Sequence, residues 1–334
     1  MNRPLLNIDG LRVEFGTKAE PLVAVKDVGL DVGAGEIVGL VGESGSGKSL
    51  SCRAVMRLLA PPGRVAAGSI HFDGRDVLAM SKAQLRDFRA HDVGMIYQDP
   101  FSSLNPVFRV GAQIAETLRL NRSMSKRAAE VAVSDLLASV GIPDPTRRAL
   151  AYPHELSGGM RQRIMIALAT ASQPRLLVAD EPTTALDVTT QAQILDLLMK
   201  LREDRGMSVL LVSHDFGVIA QVCDRVAVMY GGRIVEVGSI AAIYATAQHP
   251  YTRALLDSVP TLAAAGRGLR RSGIPGQPPE LTEALPGCVF APRCTSAAPI
   301  CLAGPIDLLP VAAGHTCACV VRPFQLAPPP RTAP

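Results

Sequence analysis

Eight consecutive residues, Gly42-Glu43-Ser44-Gly45-Ser46-Gly47-Lys48-Ser49, carry the clearest chemistry in this chain of 334 residues. They fit G-x-x-x-x-G-K-[ST], a pattern that wraps backbone N–H groups around phosphate. Gly42, Gly45 and Gly47 give the backbone the freedom to curl, and Ser44 sits at the turn between them. In such a loop Lys48 reaches the outer phosphates of a nucleoside triphosphate, and the Ser49 hydroxyl ligates magnesium. A second group lies far along the chain, where the apolar run Leu176-Leu177-Val178-Ala179 ends in Asp180-Glu181. Acids at the carboxyl end of a buried strand face the ligand crevice of a parallel sheet. Asp180 is placed to hold magnesium, directly or through water, and Glu181 to take a proton from an attacking water.

Two more strand ends carry polar groups of the same kind. Val93-Gly94-Met95-Ile96-Tyr97 ends at Gln98, which can ligate magnesium or orient a water, and Ser208-Val209-Leu210-Leu211-Val212-Ser213 ends at His214. Leu156-Ser157-Gly158-Gly159-Met160 then precedes a helical segment and makes a second helix start suited to an anion. The chain therefore offers two phosphate-type helix ends, well apart in sequence.

The elements that must position these groups follow from periodicity. Glu36 to Val41 reads as a buried strand entering the glycine loop, and Leu50 to Leu59 as the helix leaving it. Leu11 to Phe15 and Ala24 to Val28 read as earlier strands. Phe15 has two readings, an adenine-stacking ring or core packing. Gly68 to Val77 predicts a hairpin turning at Asp73-Gly74, and Asp224 to Gly238 another turning at Gly231-Gly232. Between Val110 and Pro153 the pattern is helical, with Ser125 as an N-cap, and a helix is expected from Arg161 to Ser172. Residues Thr189 to Arg205 predict an amphipathic helix. The fold class is α/β.

Bulk properties narrow the function. With 48% hydrophobic and 19% charged residues the chain is globular. A net charge of +4, scattered cations and the absence of Trp do not indicate a nucleic-acid partner. The N-terminus has no signal-peptide core, and no apolar run reaches the roughly 20 residues a membrane span needs. The expectation is a cytoplasmic protein, at most peripheral to a membrane.

In order along the chain, the glycine loop, Gln98, Leu156-Ser157-Gly158-Gly159, Asp180-Glu181, Ala185-Leu186-Asp187 and His214 resemble the ATPase subunit of an ATP-binding cassette (ABC) transporter. The resemblance covers roughly residues 5 to 245. It implies a P-loop nucleotide-binding domain with a RecA-like core, an antiparallel β subdomain and an inserted helical subdomain at about 101 to 160. It also implies a composite site in a dimer: ATP held with Mg2+ on the loop of one subunit and capped by Ser157, Gly158 and Gly159 of the other. Glu181 would be the general base, His214 would contact the outer phosphate, Gln98 would sense the nucleotide, and Asp187 would touch the opposing subunit. Phe15 falls where the family places its adenine-stacking aromatic. A soluble ABC protein acting on nucleic acid usually has two cassettes or a long coiled-coil insertion, and this chain has neither. A purely regulatory subunit sits badly with an intact Glu181.

The remainder, 246 to 334, is similar to the C-terminal extension of oligopeptide and dipeptide importer ATPases, through His249-Pro250-Tyr251-Thr252-Arg253-Ala254-Leu255-Leu256, Ile274 to Pro279 and Gly287-Cys288 to Cys301. Gln98-Asp99-Pro100-Phe101-Ser102-Ser103-Leu104-Asn105-Pro106 fits that group too. Such importers pair two ATPases on the cytoplasmic face of two transmembrane permeases, fed by an extracytoplasmic substrate-binding protein; Leu156 and Met160 look more like the first ATPase of the pair. Peptides are the default cargo, with nickel chelates, glycosides and opine-type compounds as alternatives.

Five of seven cysteines, Cys288, Cys294, Cys301, Cys317 and Cys319, fall in this extension. Disulfides do not suit a reducing cytoplasm, and the spacing does not match the short knuckles of common zinc sites. Zinc stays possible despite that mismatch, beside free thiols and an iron-sulfur cluster. The family resemblance implies a [4Fe-4S] cluster on Cys288, Cys294, Cys301 and Cys319, with Cys317 as the spare. Cys52 and Cys223 lie in apolar segments and read as core residues.

Overall fold

A computed structural model of the chain describes residues 3–17, 19–99, 103–259, 274–279 and 286–321. Two sheets organise it. The larger has eight strands in the order β11-β12-β10-β9-β3-β8-β7-β6, where β3 is Ile37–Val41, β6 Val93–Ile96, β7 Leu176–Asp180, β8 Ser208–Ser213, β9 Arg225–Tyr230, β10 Arg233–Ser239, β11 Leu309–Ala312 and β12 His315–Cys317. Strands β6, β7, β8, β3 and β9 run parallel, and β10, β12 and β11 continue the sheet antiparallel. The smaller sheet, antiparallel, has the order β2-β1-β4-β5, from β1 Leu6–Gly16, β2 Pro21–Val32, β4 Arg64–Phe72 and β5 Arg75–Asp76.

Parallel strands covered on both faces must be apolar throughout, and β3, β6, β7 and β8 are buried at every position. Their side chains alternate between two cores. Ile37, Val41, Leu177, Ala179, Val209 and Leu211 face the helical side, while Val38, Leu40, Val178, Leu210 and Val212 share a core with Leu6, Ile8, Leu11 and Phe72 of the antiparallel sheet. Each Val, Leu or Ile among them contributes about 1.5–3 kcal/mol when fully buried, so burial of the central strands is a large stabilising term.

The helices flank this sheet: α1 Lys48–Val55, α2 Lys82–Asp87, α3 Val110–Asn121, α4 Lys126–Ser139, α5 Pro145–Arg148, α6 Gly158–Thr170, α7 Val188–Arg205, α8 Phe216–Val222, α9 Ile240–Thr246 and α10 Pro250–Ser258. Helices α3 and α4 form the inserted helical block, packing Val110, Ile114 and Leu118 against Ala129, Val133 and Leu137, spaced four apart on each helix. Ser125 caps α4 as expected, its hydroxyl accepting from Ala128 N at 3.3 Å. The expected start of this block at 101 falls on residues 100–102, outside the described ones, as does part of the tract Gln98 to Pro106.

Two sequence expectations shift. The helix after the glycine loop stops at Val55, because Arg57 takes a left-handed φ of 50° that no helix continues. Helix α6 begins at Gly158, three residues before the expected Arg161, because the Ser157 hydroxyl caps it by accepting from Met160 N at 3.3 Å. Hydrogen bonding also crosses the division expected near Ala245. Strand β12 from the extension pairs with β10, and Glu236 of β10 sits fully buried with three donors: Gln248 N at 2.6 Å, His249 N at 3.0 Å and His315 Nε2 at 2.8 Å. A buried carboxylate is tolerable only when so supplied, and this one ties the extension to the core sheet. No described helix is long and apolar enough to cross a membrane.

Candidate functional site

The glycine loop leaves β3 and enters α1 at the carboxyl edge of the parallel sheet, as the sequence predicts. Gly42 is obligatory, since a Cβ there would lie 2.0 Å from the Met229 carbonyl oxygen. Gly45 and Gly47 adopt φ of 80° and 104°, a backbone that side chains other than glycine rarely take, and Ser44 lies exposed at the turn. Lys48 is buried and turned back on its own loop, its Nζ donating to the carbonyls of Gly42 at 2.7 Å and Glu43 at 2.8 Å. Burial lowers the Lys48 pKa, while Glu181 and Asp180 pull it up again. The ammonium thus stands ready to exchange two carbonyls for phosphate oxygens, which are stronger acceptors.

Ser49 and Asp180, 131 residues apart in sequence, meet through a hydrogen bond from Ser49 Oγ to Asp180 Oδ1 of 2.8 Å. Desolvation raises the Asp180 pKa, and the Ser49 bond opposes it. One hydroxyl and one carboxylate side by side, next to a triphosphate, are the partial oxygen set that magnesium takes.

Glu181 is the centre of a second group. Its backbone has φ of 50°, which turns the side chain out of β7, and it is only 8% exposed. Two donors bond its Oε2, Gln98 Nε2 at 3.1 Å and Thr184 Oγ1 at 2.8 Å, and His214 Nδ1 stands 3.2 Å from the same oxygen. The structure therefore brings Gln98, Glu181 and His214 together, each from a different strand end. Gln98 gives its amide N–H to Glu181, with Ser49 and Asp180 forming their own pair. Thr184 went unnoticed in the sequence; its only signal is a hydroxyl three residues beyond the acid.

Ser157, Gly158 and Gly159 form the N-terminus of α6 and pack against α7: a Cβ on Gly159 would meet Thr190 Cγ2 at 2.8 Å. Asp187 caps α7, accepting from Thr190 N at 2.9 Å and Thr190 Oγ1 at 2.7 Å. Among the described residues, no hydrogen bond joins 157–159 or Asp187 to the glycine loop. Phe15 is partly buried against the inner core, and its ring closes on Gly63, so both of its readings keep a physical basis.

No disulfide joins the described cysteines of the extension. Cys317 lies inside β12, paired with β10 on one side and β11 on the other. Cys288, Cys294, Cys301 and Cys319 are electrostatic neighbours. Burial first, and the other three thiols in addition, push Cys319 up to about 11, and burial with nearby thiols raises Cys288 and Cys294. Among the described residues, however, no group of three or more His, Cys, Asp or Glu side chains is placed to hold a metal ion.

Comparison with known proteins agrees with this geometry. Residues 25–184 match the ABC transporter family model, and 235–301 match the oligopeptide/dipeptide transporter C-terminal region. A putative peptide import ATP-binding protein of Brucella ovis is 50% identical over 95% of this chain and 97% of its own length. The dipeptide transport ATP-binding protein DppD of Escherichia coli is 44% identical over 94% of this chain and 96% of its own. Among solved structures, the dimeric ATP-binding cassette MJ0796, in a post-hydrolysis state bound to ADP and Pi, superposes with a TM-score of 0.64 at 27% identity, covering 70% of this chain and 98% of that one. With a paired acid and base group at the carboxyl edge of a cassette sheet, and an extension of the matching kind behind it, the chain belongs to the ATP-binding proteins of ABC transporters, in the oligopeptide/dipeptide transporter family.

Proposed function

We propose that this chain is an ATP-hydrolysing subunit that powers import of peptides, working as one half of a dimeric motor. The convergence of Gln98, Thr184 and His214 on Glu181 Oε2 is the observation that carries the reading. A carboxylate so oriented accepts the proton of a water attacking the outer phosphate. Lys48 and the loop N–H groups would neutralise charge on the phosphates, and Ser49 and Asp180 would hold the magnesium that bridges them. His214, 54% exposed on its side chain, would turn toward the outer phosphate. The nucleotide would be closed over by Ser157, Gly158 and Gly159 of a second ATPase subunit, whose Asp187 would face this one. Phe15 would stack on the adenine.

The decisive variant is Glu181→Gln, which keeps the shape and one acceptor oxygen of the side chain but removes its basicity. In the assembled transporter it is expected to retain ATP binding and to lose turnover by about 10²- to 10⁴-fold, the range that a positioned base contributes. Unchanged hydrolysis would refute the assignment.

Two transmembrane permeases and an extracytoplasmic receptor complete the proposed machine, with this chain at the cytoplasmic face of the membrane. Peptide cargo rests on the named relatives, and the receptor's bound ligand tests it: a nickel chelate, glycoside or opine-type compound there would reassign the cargo while leaving the motor role intact.

The extension is further proposed to hold a [4Fe-4S] cluster on Cys288, Cys294, Cys301 and Cys319. Their electrostatic proximity supports that set, and Cys317, held within β12, stays the spare. A multi-iron cube spans more space than one ion, so thiols that do not close on a single metal still suit it. Such a cluster would supply a covalent clamp and a one-electron centre. Anaerobically purified protein is expected to be brown with about four iron and four sulfide per chain; a colourless, zinc-loaded protein would remove the proposal.

A further inference from the structure

The glycine loop is gripped from outside the nucleotide-binding core. Arg293 lies in the extension, in the short 3-10 turn Ala291–Arg293, yet its side chain is only 5% exposed and reaches the loop 250 residues earlier. All five guanidinium donors are used. Two make a bidentate pair with the Glu43 carboxylate, at 2.6 and 3.0 Å, one goes to Tyr230 Oη at 3.1 Å, and two go to the carbonyls of Ile274 at 3.0 Å and Pro275 at 2.8 Å. The guanidinium carbon also stands 5.7 Å from the Tyr230 ring and 5.9 Å from the Phe290 ring. Glu43 raises its pKa further, beyond an already permanent charge.

Glu43 is held at its other polar groups too. Its N–H donates to Tyr251 Oη of α10 at 2.8 Å, and its carbonyl accepts from Lys48. Tyr251 is itself fully buried and packs on Tyr230 with ring centroids 4.5 Å apart. Two residues of the extension therefore clamp the second residue of the phosphate loop. The clamp has an electrostatic purpose as well as a mechanical one. A free carboxylate at position 43 would repel an incoming triphosphate, and Arg293 cancels that charge while drawing the side chain aside.

We propose that Arg293 is a positioning residue for ATP binding: acting through Glu43, it holds the phosphate loop in its nucleotide-ready form and removes a negative charge from beside the phosphates. The proposal goes beyond the ATPase assignment and stands with or without a metal cluster in the extension.

A double-mutant cycle on the full chain in the assembled transporter tests it. Arg293→Ala is expected to raise the KM for ATP about tenfold, equivalent to about 1.4 kcal/mol, with kcat within about twofold. Glu43→Ala removes the charge and the anchor together and is expected to raise KM less. In the Glu43→Ala background, Arg293→Ala is expected to change KM no further, because its action has lost its target. If Arg293→Ala does not fold, Arg293→Lys carries the same cycle with a smaller KM rise, since an ammonium cannot reproduce the bidentate pair. An unchanged KM in the single variant, or an equal rise with and without Glu43, would overturn the proposal and leave Arg293 a packing residue of the extension.

Discussion

Two helix N-termini in this molecule look alike in sequence and differ completely in their surroundings. The one at Gly47-Lys48 is buried, and within reach of it stand a cation, a hydroxyl and two carboxylates. The one at Ser157-Gly158-Gly159 carries its own serine cap and lies against Thr190, and among the described residues no hydrogen bond joins 157–159 to an acid or base side chain. Both can receive an anion, but only the first can do chemistry on it. The difference teaches that a helix terminus alone is not a reaction centre, and it is what the proposed capping of a second subunit's nucleotide by Ser157-Gly158-Gly159 would require.

The comparison can be broken by experiment, and the largest effect is expected at the first terminus. Lys48→Met should weaken ATP binding by the isolated chain about 10²- to 10³-fold, the loss typical of removing one preorganised charged donor. Filter binding or a fluorescent nucleotide would measure it, and near-normal affinity would mean that the loop does not hold the phosphates.

Next in size is Gly158→Asp. A Cβ there meets only Leu186 Cδ2, at 3.9 Å, so the side chain fits, and an acid in the first turn of a helix should if anything stabilise the fold by about 0.3–1 kcal/mol. ATP binding by the isolated chain should be untouched, while turnover of the assembled transporter falls about 100-fold, since in the proposed dimer the added charge would face the partner's phosphates. Weakened binding in the isolated chain would show instead that this terminus serves its own loop.

A smaller loss, about tenfold or less in kcat with KM steady, is expected from Thr184→Val, which removes one of the two hydrogen-bond donors on Glu181 Oε2. The smallest is Gly159→Ala, whose Cβ would press on the end of the Thr190 side chain at 2.8 Å. That flexible neighbour can give way, so a stability loss of about 1 kcal/mol in denaturant unfolding is expected.

The legible parts of this protein were those whose chemistry is local. The glycine loop, its strand and its helix span fewer than two dozen residues, and a phosphate's demand for inward N–H groups leaves few alternatives to that pattern. Asp180, Glu181, Gln98 and His214 were legible because each ends an apolar run, and parallel strands deliver their carboxyl ends to one edge. Thr184 escaped because nothing local separates a hydroxyl that orients a base from one that merely faces water. The start of α6 was read late because Gly158 and Gly159 are poor helix formers, and the Ser157 cap outweighed that cost. The extension was legible as a family tail, but not as part of the sheet. Strand β12 is three residues long, too short for any periodicity to reveal, and its pairing with β10 is fixed by the buried Glu236 and His315.

The sequence by itself determined which groups can act on a nucleotide and in what order they occur, because each motif contains its own physical reason. Tertiary structure alone decided which of them touch. It put Ser49 on Asp180, gathered three strand ends on one oxygen of Glu181, and laid Arg293 on Glu43. Such pairings span up to 250 residues, and they exist because the buried parallel sheet and its antiparallel extension bring distant segments to one edge.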